Sequence, residues 1–224
     1  MERTPLAARQ LPRYTVGEER MNMITHIVGG AFGVVVLVFA LIIAAGQHDP
    51  WKVVGSAIYG ASLILLYSVS ATYHGLPPSL GKKVMQVIDH CTIYLLIAGT
   101  YTPILLAAIR PLYPALSWVL FGIQWGCAAG AAVFTAIDLK KYSKLSMACY
   151  IIMGWIIIIA IKPTIDAVSL AGFWWLLAGG VAYTVGAVLY HIGKKKPYFH
   201  VVFHLFVLLG SVLQAVCVLY YVMM

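Results

Sequence analysis

The chain has 224 residues, of which 62% are hydrophobic and only 10% charged, so a water-soluble fold of this length would lack the polar surface to cover itself. Its formal charge of +8 sits on short connections between apolar runs rather than on one basic face, which argues for membrane topology and against a nucleic-acid partner. The four cysteines, Cys91, Cys127, Cys149 and Cys217, fall in four different apolar segments with no CxxC pair and no spacing that suggests a disulfide framework or a thiolate metal site, and read as core or lipid-facing residues.

Residues 1–21 hold Arg3, Arg9, Arg13 and Arg20 and read as a retained cytoplasmic segment, because no cleavage signature follows the first apolar run. The apolar runs predict an all-α polytopic membrane protein with transmembrane helices near 22–46, 53–74, 84–109, 115–137, 145–161, 168–190 and 199–222. Runs of about 17 to 25 residues cross about 30 Å of hydrocarbon at 1.5 Å per residue. The fifth is the shortest and ends at Lys162-Pro163. The runs are continuous rather than alternating, which argues against a barrel, and residues 22–224 are expected to form a single seven-helix domain.

Cytoplasmic loops hold an excess of Lys and Arg. Arg3, Arg9, Arg13, Arg20, Lys82, Lys83, Lys140, Lys141, Lys144, Lys194, Lys195 and Lys196 fall on one side, against Lys52, Arg110 and Lys162 on the other. The N-terminus is therefore expected inside and the C-terminus outside. Lys194-Lys195-Lys196 is suited to attracting anionic lipid. Gly29-x-x-x-Gly33 and Gly126-x-x-x-Gly130 are expected to let neighbouring helices approach, and Pro103 to bend the third helix. Trp51, Trp118, Trp174 and Trp175 read as interfacial belt residues near the outer helix ends.

Imidazoles and carboxylates inside hydrocarbon are costly, so their positions carry weight. His200-x-x-x-His204 opens the seventh helix, and two imidazoles four apart share a face that can bind one metal. The second helix ends in Ser70-x-x-x-His74, where His74 offers a third nitrogen, and the third helix contributes Asp89. The topology brings all of these to one depth near the cytoplasmic ends. Three neutral histidines plus water make an open tetrahedral zinc site, with Asp89 placed to take a proton and Ser70 to hydrogen-bond a ligand. The alternative is a set of unrelated polar groups, each satisfied locally. Glu19, Asn22 and His26 stand at the start of the first helix, where Asn22 caps the helix and the acidic pair favours its positive end, or where all three support the polar site. His48 and His191 read as solvated, and His90, about 100° round the helix from Asp89, as structural or as supporting the site from behind.

These motifs resemble those of the hemolysin III branch of the progestin and adipoQ receptor superfamily. Its Glu-x-x-Asn-x-x-x-His motif appears as Glu19, Asn22 and His26, its Ser-x-x-x-His followed by Asp as Ser70, His74 and Asp89, and its last as His200 and His204. The resemblance implies zinc held by His74, His200 and His204, with Asp89 near the coordinated water and Ser70 beside it. It also moves Glu19, Asn22 and His26 toward a site-supporting role. The superfamily resembles alkaline ceramidases, which cleave a lipid amide. Bacterial members are linked to membrane homeostasis, and the family name records a haemolytic activity.

The leading expectation is a zinc-dependent hydrolase of lipid amide or ester bonds at the cytoplasmic leaflet of the cell membrane, with membrane lipids as partners. A noncatalytic regulator of membrane fluidity with a structural zinc is the second. A pore or cytolysin is the third, opposed by the almost wholly apolar outer halves of the helices.

Overall fold

The computed structural model describes residues 4–193 and 196–224; Arg3 and the Lys194-Lys195 pair of the basic run lie outside the described residues. Backbone groups in hydrocarbon must be satisfied within their own segment, and the described chain is accordingly helical. The helices are α1 (Val16–Gly46), α2 (Pro50–Gly75), α3 (Leu80–Pro103), α4 (Pro114–Ile137), α5 (Ser143–Trp155), α6 (Ile161–Ile192) and α7 (Phe199–Val216). Wider π-type turns continue α3 through Ile104–Ile109 and α7 through Cys217–Met223, and a 3₁₀ stretch, Ile156–Ala160, joins α5 to α6. Among the described residues, six helical segments are long and apolar enough to cross a membrane when Ser143–Ile192 is taken as one.

That segment folds back on itself. A continuous helix of its 50 residues would reach about 75 Å, yet the Trp155 indole N–H donates to Thr184 Oγ1 at 3.0 Å. The reversal is at Ser169, whose φ of 63° and ψ of 167° are not helical. A sixth helix expected from residue 168 thus begins beside the observed turn.

The first helix starts six residues before the expected 22, at Val16. Thr15 caps it: the Glu18 N–H donates to Thr15 Oγ1 at 3.2 Å and the Thr15 N–H to Glu18 Oε2 at 2.8 Å, a reciprocal capping box. Asn22 lies inside α1 and is not its cap, which corrects that reading.

Small residues set the helix spacing at some of the expected places. A Cβ on Gly29 would stand 2.3 Å from Tyr67 Cδ1, and one on Gly33 3.1 Å from Leu63 Cβ, so α1 lies directly on α2. Gly179 meets Gln214 across α6 and α7 in the same way. Gly126 and Gly130 meet nothing within 4 Å among the described residues, so this pair does not pack one described helix on another as expected; the spacing specifies a smooth strip and leaves its partner open. Pro103 acts by widening the ladder, with the Arg110 N–H reaching back to the Leu105 carbonyl at 2.8 Å. α3 is the most enclosed of the long segments, whereas α1 turns Val34, Val38, Phe39 and Ile42 outward.

Candidate metal centre

His74 stands at the end of α2, and His200 and His204 on one face of the first turns of α7. One nitrogen from each of the three lies within 4.8 Å of the others. His74 Nε2 and His200 Nε2 are 3.3 Å apart. Ligands at about 2.05 Å around a tetrahedral ion stand about 3.3 Å from one another, so this pair has the spacing of two ligands. His74 and His204 are buried, and the Nδ1 atoms of His200 and His204 are buried without a hydrogen-bond partner among the described residues. Three imidazoles converging on one point suit a borderline divalent ion, and three protein ligands leave a fourth position open. His74, His200 and His204 could therefore hold a metal.

Glu19 lies behind this cluster. Its Oε2 accepts from His74 Nδ1 at 2.6 Å, and its Oε1 accepts from Lys82 Nζ, also at 2.6 Å. The carboxylate thus joins α1 to α2 and α3 rather than merely favouring a helix end. Lys82 carries no site signal in the sequence, where it counts only as a loop charge, yet it is 4% exposed.

His26 stacks on His204 with ring centroids 3.7 Å apart and packs edge-on against Tyr67. Asn22 is fully buried one turn earlier, and neither its amide nor either His26 nitrogen has a hydrogen-bond partner among the described residues. Asp89 lies beside Ser70 and within electrostatic reach of His74. His90 lines the same cavity, its Nδ1 2.8 Å from the Gln86 carbonyl and 3.9 Å from Asp89 Oδ2. His48 and His191 are exposed.

His26, Ser70, Asp89, His200 and His204 line one cavity of about 760 Å³. Its inner reach is walled by Leu66, Leu96, Ile97, Ile104 and Leu176, whereas Arg9, Gln10 and Lys140 stand at the other end. The N-terminal segment crosses that end. The Thr4 N–H donates to Asp138 Oδ2 at 3.1 Å, Arg9 donates to the Ile137 carbonyl at 2.7 Å, and Tyr14 stacks on His200 at 5.0 Å. Burial pushes the Tyr14 phenol up from its ordinary value, keeping it neutral. Tyr198, at φ 61° before α7, donates its N–H to Glu18 Oε1 at 2.8 Å, so the α1 capping box also fixes the backbone leading to His200. Tyr14 and Tyr198 are further residues that no sequence motif announced.

The fold and cluster together define a multi-pass helical membrane protein with a triad of histidines, two of them buried. The chain belongs to the haemolysin-III-related family, whose model matches residues 14–215. It is 42% identical over 208 residues to the hemolysin-3 homolog of Bacillus subtilis (strain 168), covering 93% of this chain and 96% of the relative. Hemolysin-3 of Bacillus cereus is also 42% identical, with 93% of each chain covered. The monocyte to macrophage differentiation factor of Homo sapiens is 29% identical over 217 residues, covering 92% of this chain and 84% of that one.

Proposed function

We propose that this protein hydrolyses an amide or ester bond of a membrane lipid at the cytoplasmic leaflet, using zinc held by His74, His200 and His204. The chain would cross the cell membrane seven times as one domain over 22–224, the reversal at Ser169 separating the fifth and sixth crossings, with the N-terminus inside and the C-terminus outside. The observation that carries this reading is the shared cavity: two histidines of the triad, Ser70 and Asp89 face a space whose far walls are apolar.

A zinc ion bound there would polarise a carbonyl and bring the pKa of a coordinated water to about 7. Asp89 is placed to take a proton from that position and return it to the leaving group, and Ser70 to orient Asp89 or hydrogen-bond the substrate oxygen. Leu66, Leu96, Ile97 and Ile104 would hold an acyl chain and exclude water from the reacting bond. The test is release of fatty acid from lipid amides and esters by zinc-loaded protein in vesicles. Release that disappears in His204→Ala and Asp89→Asn supports hydrolysis; no release from either lipid class by the wild type ends it.

A second reading is favoured by the ligands coming from α2 and α7 and by Tyr14 lying on His200: zinc would brace a noncatalytic protein that adjusts membrane fluidity. In that case Asp89→Asn would leave any fluidity phenotype intact.

A further inference from the structure

We propose that Lys82 is a positioning residue for the metal centre: through Glu19 it fixes His74 in the tautomer and orientation that present Nε2 to the ion. This rests on the metal reading above and names a part of the site that neither the motifs nor the ligand set contains.

A neutral imidazole carries its proton on either nitrogen, and only the bare nitrogen binds a metal. An ionised carboxylate only accepts, so Glu19 Oε2 at 2.6 Å from His74 Nδ1 requires the proton on Nδ1 and leaves the Nε2 lone pair toward His200 and His204. Glu19 has several rotatable bonds and needs its own anchor. Lys82 Nζ supplies it, 2.6 Å from Glu19 Oε1 and 2.9 Å from the Leu76 carbonyl just beyond α2. The Tyr73 ring stands 5.2 Å from the same ammonium. The anchor is thereby fixed by the end of the helix that carries His74.

Burial sharpens the point. A lysine that only marks the cytoplasmic face extends its ammonium into water, but Lys82 is 4% exposed, and a buried ammonium is kept only where it is paired. The Lys82 to Glu19 to His74 chain ties α3 and α1 to a metal whose ligands come from α2 and α7 alone. Loss of partners behind a ligating histidine generally costs about 10 to 100-fold in metal affinity.

The experiment is competition of purified protein with a chromophoric chelator for Zn2+, with the visible spectrum of the Co2+-loaded protein as a second readout. Glu19→Gln is expected to weaken zinc about 10 to 100-fold and Lys82→Met about tenfold, both with altered cobalt bands. If folded Lys82→Met binds zinc as tightly as wild type with unchanged cobalt bands, the positioning role of Lys82 is overturned, and Lys82 only stabilises the fold. Should Lys82→Met not fold, Lys82→Gln is measured by the same criterion. A wild type that takes up no zinc, like His204→Ala, removes the metal reading itself, which is a different outcome from intact binding in the Glu19 and Lys82 variants.

Discussion

His26 and His204 stack with ring centroids 3.7 Å apart and planes 19° apart, joining the first helix to the last. Among the described residues, neither His26 nitrogen has a hydrogen-bond partner, and His26 is not one of the three whose ligand atoms converge. The ring stack is therefore the contact it makes with the cluster. Phe at this position keeps the stack and removes two unsatisfied buried nitrogens, so His26→Phe should hold about one metal per chain and match or exceed wild-type stability by about 1 kcal/mol. Plasma mass spectrometry and thermal unfolding measure both; metal lost in His26→Phe would make His26 a fourth ligand and close the site.

Metal removal offers a stability test. An ion that binds the folded state alone at a thousand times its Kd stabilises it by about 4 kcal/mol. A strong chelator should therefore lower the unfolding temperature of the wild type and leave His200→Ala unmoved, because that variant has no ion to lose. Equal sensitivity in the two would mean the chelator acts elsewhere.

Gly29 and Gly126 look alike in the sequence and should behave oppositely. A side chain at Gly29 collides with the Tyr67 ring at 2.3 Å, whereas one at Gly126 meets nothing within 4 Å. Gly29→Leu should cost about 1 to 3 kcal/mol or prevent folding, and Gly126→Leu should stay within about 0.5 kcal/mol. Thermal unfolding in detergent gives the comparison; a large loss in Gly126→Leu would show that α4 packs against a second molecule.

The same contrast shows what the sequence makes legible. Apolar run length placed the helices closely, because bilayer thickness fixes the number of residues needed, but it misplaced the start of α1, where a Thr15–Glu18 capping box extends the helix through polar sequence. The His74, His200 and His204 cluster was readable because spacing of four and the alternation of helix direction bring those residues to one depth. Lys82 was not, since a lysine beside a helix start looks the same whether it meets water or a carboxylate 63 positions away. Pairings of that kind, like Tyr14 on His200, are set by packing alone.

Asp138 gives a pH dependence. The backbone N–H groups of Lys141 and Lys140 at 3.1 and 3.2 Å, with that of Thr4 at 3.1 Å, hold its carboxyl at about 2, below the ordinary value. A depressed carboxylate stabilises the fold above its ordinary pKa of about 3.9, and that contribution fades as pH falls toward 2. The difference in unfolding temperature between wild type and Asp138→Asn should be full at pH 6 and vanish between about pH 4 and pH 2. Amide exchange over residues 4–14 should be faster in Asp138→Asn at pH 6, since the Thr4 contact is weakened. A difference constant down to pH 2 would mean the amide substitution perturbs packing rather than charge.

The reversal at Ser169 decides the parity of the membrane crossings. Trp155 and Thr184, on either side of it, are joined by a 3.0 Å hydrogen bond, so Ser143–Ile192 cannot be one straight span. If both arms cross, the chain crosses seven times and its ends lie on opposite sides; if one arm stays at the surface, six crossings return the C-terminus to the side of Arg13. With the four native cysteines replaced by alanine, a membrane-impermeant maleimide applied to intact cells should label His48→Cys and Met224→Cys, and reach Arg13→Cys and Lys141→Cys only after permeabilisation. Labelling of positions 13 and 224 under the same condition would set the count at an even number. The metal centre would still face the compartment of the Lys82 and Lys140 loops, because His74 and His200 lie at helix ends adjoining that side.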